Sequence, residues 1–358
     1  MPTFFRLFLL VALAGCSASA PDEPASAPGG LTLGVAFPPS ASADERAFTV
    51  SRLDALCASH VRFGQRWALR EPERDRWAWG PLDDRLSGFE TAGVRVFLTL
   101  ELKGMPGWLA ALSPDEREAE FRQYVRALLE RAGGRLAAVQ FGNEWTWEVD
   151  RYLGGDTDAF VRLAAVLSEE VGRLPEAERP EVVLGSLSID GLRALAFAQG
   201  RIDNVVFDGR PLYSDAELAQ ARAGATALQA RYRAVFGGIE ADAVDLHLYD
   251  DVWNWPLYRE AVEQVLREVG KRPEDVAFVA SEFGGPHPTL EPGNEAFRAE
   301  RVRQYVSALG EMGIDRAYYF KLVQEPGADI AHPNSFLVTA DGQATEAFDA
   351  FADAACGR

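Results

Sequence analysis

The chain has 358 residues, 47% of them hydrophobic and 25% charged, the composition of a soluble globular protein, which allows a large core and leaves nothing after the first 30 residues that reads as disordered. Its formal net charge of −18 repels phosphate backbones and anionic lipid surfaces, and so argues against nucleic acid as a partner. A neutral partner is left open.

The N-terminus reads as a targeting segment. Arg6 is its only basic residue, and an apolar run follows from Leu7 to Ala14, too short to span a bilayer and of signal-peptide length. The run closes on Leu13-Ala14-Gly15-Cys16, which resembles the lipobox of bacterial lipoproteins. The resemblance implies that residues 1–15 are removed and that Cys16 is lipidated. It also implies a place in the cell envelope, with membrane contact only through the lipid. Residues 16–30 carry that cysteine and then a small, polar, proline-rich stretch that reads as a flexible tether.

From Leu31 onward short apolar runs alternate with amphipathic stretches. The runs are 31–37, 60–67, 94–102, 136–145, 181–188, 243–250, 275–283 and 315–323. They are rich in β-branched and aromatic residues and mostly lack polar alternation, as parallel strands buried on both faces do. Helical periodicity lies between them at 120–134, 159–174, 256–270 and 296–313, and a last helix is expected at 346–356. Several of these end in glycine, and Pro256 stands where a helix would start. Strand and helix repeated eight times predict an α/β protein of one domain over 31–358, a closed (β/α)8 TIM barrel, expected as a monomer. The stretch 189–242 exceeds one crossover and predicts an extra helix or a loop over the site. Cys57 falls on the first predicted helix and Cys356 on the last, which are neighbours in a closed barrel. A bridge and two buried thiols are both compatible with that placement.

A barrel enzyme carries its reactive side chains at the C-terminal ends of its strands. Those ends hold Arg62 and Arg66 on the second strand, Asn143 and Glu144 on the fourth, His247 and Tyr249 on the sixth, Glu282 on the seventh, and Tyr318, Tyr319 and Lys321 on the eighth. Glu144 and Glu282 predict two carboxyl groups facing each other across the barrel mouth, the pair that glycosidic cleavage requires.

The strings QFGNEW (140–145), HLY (247–249) and ASEFG (280–284) resemble clan A glycoside hydrolases, retaining barrel enzymes that include many cellulases, mannanases, xylanases and β-xylosidases. Segments 67–100, 105–110 and 335–351 share the likeness, which thus covers nearly the whole body. The resemblance implies Glu144 as acid/base, Glu282 as nucleophile and Asn143 as the ligand of the sugar 2-hydroxyl. It implies that Tyr249 hydrogen-bonds the nucleophile and that His247 meets the acid/base side or the sugar. Arg62 would hold the nucleophile ionised. The chain departs from the clan at two places. Strand eight ends in YYFKLVQ (318–324) where a tryptophan is usual, so Tyr319 or Phe320 takes its place, and strand three lacks the histidine of several families.

Flat rings stack on the apolar faces of sugars. Trp145 and Trp147 follow Glu144, Trp253 and Trp255 follow strand six, and Trp108 follows strand three. Trp145, Trp147, Trp253 and Tyr319 are therefore expected to bind an oligo- or polysaccharide. The four histidines show no metal-binding spacing, so neither a metal nor a cofactor is expected. His60 and Arg66 read as structural residues, and His287 and His332 as solvated loop residues. The function expected is hydrolysis of a β-linked glycan with retention. The alternative is a transglycosylating, or catalytically inactive, lipid-anchored glycan-binding barrel.

Overall fold

The computed structural model describes residues 30–203, 206–207, 210–211, 214–285, 294–325 and 334–358. The expected signal peptide, Cys16 and its tether up to residue 29 lie outside the described residues, as do His287 and His332.

Eight strands close into one parallel barrel, each hydrogen-bonded to the next and the last to the first. They are β1 (Thr32–Ala36), β2 (His60–Gln65), β3 (Arg95–Leu100), β4 (Leu136–Phe141), β5 (Glu181–Leu187), β6 (Ala243–Tyr249), β7 (Ala277–Gly284) and β8 (Arg316–Tyr319). The strands are buried on both faces, which is why they read as apolar runs. Ala36, Phe97, Ala138, Val183, Ala243, Val279 and Tyr318 fill the barrel interior, while a larger apolar shell lies between strands and helices.

The helices are α1 (Ala43–Ala55), α2 (Gly80–Thr91), α3 (Pro114–Ala132), α4 (Trp145–Tyr152), α5 (Thr157–Gly172), α6 (Ile189–Ala198), α7 (Asp215–Gly238), α8 (Trp255–Glu268), α9 (Glu295–Glu311) and α10 (Glu346–Cys356). Helix α3 starts at Pro114 rather than Glu120. Ser113 and Glu116 form a capping box ahead of a first turn with no apolar period, so periodicity alone missed it. The long stretch after β5 holds two helices, α6 and α7, with the ribbon Val206–Phe207 and Arg210–Pro211 between them. The short helix α4, which begins directly after Glu144, was not expected.

Three non-glycine residues within three positions of a strand's C-terminal end adopt the left-handed region: Phe37 (φ 49°), Glu144 (φ 49°) and Asp250 (φ 59°). All three lie on the C-terminal face of the barrel. Each costs roughly 1–2 kcal/mol, and strain of this kind concentrates where a site is built.

Cys57 and Cys356 are bonded, tying the chain just after α1 to the last residue of α10 across 299 residues. The bond closes the ring of helices where the barrel itself closes. Reduction, or a Cys57→Ser substitution, is expected to lower stability by about 2–4 kcal/mol by freeing the unfolded chain. Denaturant unfolding with and without reductant checks this, and coincident curves would refute it.

Candidate active site

Alternation along β6 turns Asp245, His247 and Tyr249 to the same side of the strand, and hydrogen bonds gather these three with Arg62, Gln140 and Glu282 into one buried network. The Arg62 guanidinium is fully buried and spends its donors on four neighbours. Nη1 donates to Glu282 Oε1 at 2.7 Å and Nη2 to Asn143 Oδ1 at 2.7 Å. Nε reaches Thr99 Oγ1 at 3.0 Å and Nη2 also reaches Gln140 Oε1 at 3.2 Å. On the far side of Glu282 the Tyr249 hydroxyl donates to Oε2 at 2.6 Å.

The two glutamates meet at His247. Its Nδ1 lies 3.1 Å from Glu144 Oε1 and 3.6 Å from Glu282 Oε2. Those oxygens are therefore no further apart than the two distances laid end to end.

Hydrogen-bond bookkeeping fixes the protons beneath them. The Ser281 hydroxyl donates to Asp245 Oδ2 at 2.5 Å, and the Gln140 amide donates to the same oxygen at 2.7 Å. The Ser281 oxygen must then accept, so His247 Nε2, 3.1 Å away, carries a hydrogen and Nδ1 is the atom that exchanges one with Glu144. Arg62, Gln140, Asp245, Ser281 and His247 thus form a continuous chain of bonds under both carboxyl groups.

Environment separates the two glutamates. The Glu282 side chain is 9% exposed and that of Glu144 35%. Burial alone would raise Glu282, but the charges of His247 and Arg62 and the hydrogen bonds from Tyr249 and Arg62 overcome it and hold the carboxyl below its usual range. Burial opposes the charge on His247, yet Glu282, the hydrogen bond to Glu144 and Asp245 together push its pKa up. Burial and the neighbouring Glu282 drive Tyr249 well above the ordinary phenol value, so it stays a donor.

The turn that presents Glu144 is built locally. Gly142 has φ 86°, and a Cβ there would stand 2.9 Å from the Phe160 ring, so only glycine fits. The Glu144 amide donates to Ser186 Oγ at 2.6 Å. Buried Glu148, one turn into α4, accepts the amides of Asn143 (2.8 Å) and Leu102 (3.3 Å) on one oxygen. Burial outweighs those bonds and lifts its carboxyl to about 7. Unfolded, it titrates near ~4.3. Between those values the native state keeps a proton that the unfolded state releases, so stability falls as pH rises through the window. Glu148→Gln keeps the accepting oxygen and removes the titration. The wild type is expected to lose on the order of 3 kcal/mol relative to the variant across that window. Unfolding free energies at its two ends test this, and parallel profiles would overturn it.

Two expected sugar ligands are corrected. Trp145 is fully buried, stacked on Phe160 and edge-on to Tyr232. It lies in α4 rather than a loop, with its ring packed in the core, so it offers no face to a ligand. Tyr319 is also fully buried, wedged against Phe283 and Phe351 of α10, because strand alternation turns it outward. Phe320 reaches the mouth instead, edge-on to Tyr249 at 6.1 Å and to Phe37 at 6.0 Å. Trp255 is core as well, stacked on Tyr305. Trp147 and Trp253 are about half exposed. Trp147 stands edge-on to Tyr152 within one turn of Glu144. Trp253 heads a groove between α8 and α9. Sequence reasoning missed Thr99, Gln140, Asp245 and Ser281. Their signal was a polar residue inside an apolar strand, and the i, i+2, i+4 spacing of Asp245, His247 and Tyr249 was the strongest instance.

No protein-family model matches the chain. A β-galactosidase of Thermus thermophilus is 31% identical over 141 residues, 32% of this chain and 22% of that protein. A second, from a Thermus species, is 32% identical over 114 residues, 24% of this chain and 18% of that protein. The matched segments thus span only about a fifth of those relatives. Solved structures agree in fold at low identity. A family 39 glycoside hydrolase from Bacteroides cellulosilyticus superposes with a TM-score of 0.61 at 13% identity, covering 92% of this chain and 64% of that one. A family 5 glycoside hydrolase from Bifidobacterium longum, solved with Manβ1-4GlcNAc, gives 0.62 at 14%, with 91% and 78% covered. A psychrophilic family 10 endo-β-1,4-xylanase gives 0.59 at 10%, with 90% and 96% covered. The chain shares the closed eight-stranded barrel of these glycoside hydrolases.

Proposed function

We propose that the protein is a retaining glycoside hydrolase acting on a β-linked glycan, with Glu282 as nucleophile and Glu144 as acid/base. The observation that carries this reading is the meeting of both glutamates at His247 Nδ1, 3.1 and 3.6 Å away. Laid end to end those distances bound the gap between the two nearest carboxyl oxygens, a bound that admits the ~5–5.5 Å of retaining enzymes and reaches no further than the lower edge of the ~6.5–9.5 Å of inverting ones.

The chemistry follows from the environments. Arg62 and Tyr249 fix both oxygens of an ionised Glu282. Its carboxylate attacks the anomeric carbon while the glycosidic C–O bond breaks and Glu144 passes its proton to the leaving oxygen. Water then enters, gives a proton to Glu144 and attacks the same carbon, and Glu282 departs as carboxylate. His247, fed from Asp245 through Ser281, holds the Glu144 carboxyl in place between the two steps. Asn143, aligned by Arg62, takes the 2-hydroxyl, and Phe320 supplies the ring under the sugar in place of a tryptophan.

The lipobox-like Leu13–Cys16 supports an envelope location on a lipid anchor, and the Cys57–Cys356 bond suits an oxidising compartment. The test is a panel of aryl β-glycosides, β-galactoside first because the curated relatives are β-galactosidases, with the product anomer read by NMR. Hydrolysis with the β-anomer released first supports the reading. An α-anomer released first, or no hydrolysis of any β-glycoside, overturns it. Sugar transfer to an added acceptor in place of hydrolysis identifies a transglycosylase with the same covalent intermediate.

A further inference from the structure

Beside the carboxylate pair, the loops after β1 and β2 and the first turns of α2 enclose a cavity of about 420 Å³. It opens next to the site, for Phe37 lines it and also lies under the Arg62 guanidinium at 5.1 Å. Three arginines line it, Arg66, Arg70 and Arg85, in a protein whose formal net charge is −18. The acids there are Glu45 and Glu101.

Glu101 is already neutralised. Its carboxylate sits in the space left by the missing side chain of Gly64, between Arg66 Nε at 3.2 Å and Lys103 Nζ at 3.1 Å. Arg70 and Arg85 are different. Arg70 is 8% exposed and gives one hydrogen bond, to the Ala78 carbonyl, and Arg85 lies over the Phe63 ring at 4.5 Å. The Nε of each is buried without a partner, and among the described residues neither arginine has an ion pair. Burial and mutual repulsion lower the pKa of Arg85, and burial that of Arg70. Glu45 acts on Arg85 and Asp83 on Arg70 only from beyond ion-pair distance, and guanidinium groups held at a concave site without a contacting carboxylate are poised for an anionic ligand. The planar fork suits a carboxylate or a sulfate, which accept two parallel hydrogen bonds.

We propose that this cavity is a subsite for an anionic substituent, a carboxylate or a sulfate ester, on a sugar next to the one being cleaved, so that the substrate is an acidic glycan. This rests on the glycosidase reading for the chain that bears the anion, and it narrows that reading to a substrate class.

The experiment is calorimetric titration of the full chain with glucuronate, inorganic sulfate and glucose at one ionic strength. It is repeated on Glu282→Gln, Arg85→Gln and Arg70→Gln, each with a melting curve as a folding control. Glucuronate or sulfate is expected to bind where glucose does not, in the wild type and in Glu282→Gln alike. Each arginine variant is expected to weaken that binding by about tenfold or more. Tighter glucuronate identifies a uronic acid as the source of the charge, and tighter sulfate a sulfated sugar. Equal binding of glucose and glucuronate overturns the proposal, as does anion binding untouched in both folded arginine variants. The glycosidase reading fails separately: it falls if the wild type hydrolyses no β-glycoside, acidic or neutral, even with anion binding intact.

Discussion

Glu282→Ala is expected to abolish turnover, with kcat on an aryl β-glycoside falling by a factor on the order of 10⁴–10⁶, the scale seen when a covalent nucleophile is removed. The substitution deletes the attacking oxygen and leaves Arg62 Nη1 and the Tyr249 hydroxyl facing an empty space in a fully buried setting. Breaking a buried ion pair from one side costs roughly 3–5 kcal/mol of stability, so a melting curve must accompany the assay, and Glu282→Gln serves as the shape-preserving control. The chemical signature is rescue. A small anion such as azide can occupy the vacated space and attack the anomeric carbon while Glu144 still protonates the leaving group. The product is then a glycosyl azide of inverted configuration. Undiminished hydrolysis by a folded Glu282→Ala protein would remove the basis of the mechanism.

Glu144→Ala is expected to fail differently. Proton transfer by a placed acid contributes ~10²–10⁴ in rate, and that loss should appear in full only where the leaving oxygen needs a proton. A disaccharide or alkyl glycoside should slow by that factor. A dinitrophenyl glycoside, whose leaving group departs unprotonated, should still form the glycosyl-enzyme rapidly and then stall, because no base activates water. Azide should now enter the second step and give a product of retained configuration. The opposite outcomes of azide in the two variants separate the roles of the glutamates, and identical outcomes would refute their assignment. Among the described residues the partly exposed Glu144 side chain pairs only with His247, against Arg62, Tyr249 and His247 around Glu282, so Glu144→Ala should disturb stability less.

The amino-acid order by itself determined the barrel. Parallel strands buried on both faces cannot hide their apolar character, so the eight runs from Leu31 to Val323 stood out, and the strands lie within them except that the seventh extends one residue further, to Gly284. It also put Glu144, Glu282, His247 and Tyr249 towards the C-terminal ends of their strands, which a barrel gathers on one face, whereas Arg62, expected at the end of the second strand, lies in its middle and reaches the site through its long side chain. It left the fate of Cys57 and Cys356 open between a bridge and free thiols, and the fold joins them.

What the tertiary structure alone decided is which side chains face which way beyond those ends. Whether Trp145 meets solvent depends on a short helix, α4, turning its ring onto Phe160. Whether Tyr319 or Phe320 reaches the mouth depends on the parity of one strand residue, since adjacent side chains point to opposite faces. The support under the carboxylates, Gln140 to Asp245 to Ser281 to His247, joins residues from strands far apart in sequence. Hydrogen bonds form between atoms within about 3 Å of one another, and no local pattern of residues encodes that proximity before the barrel closes.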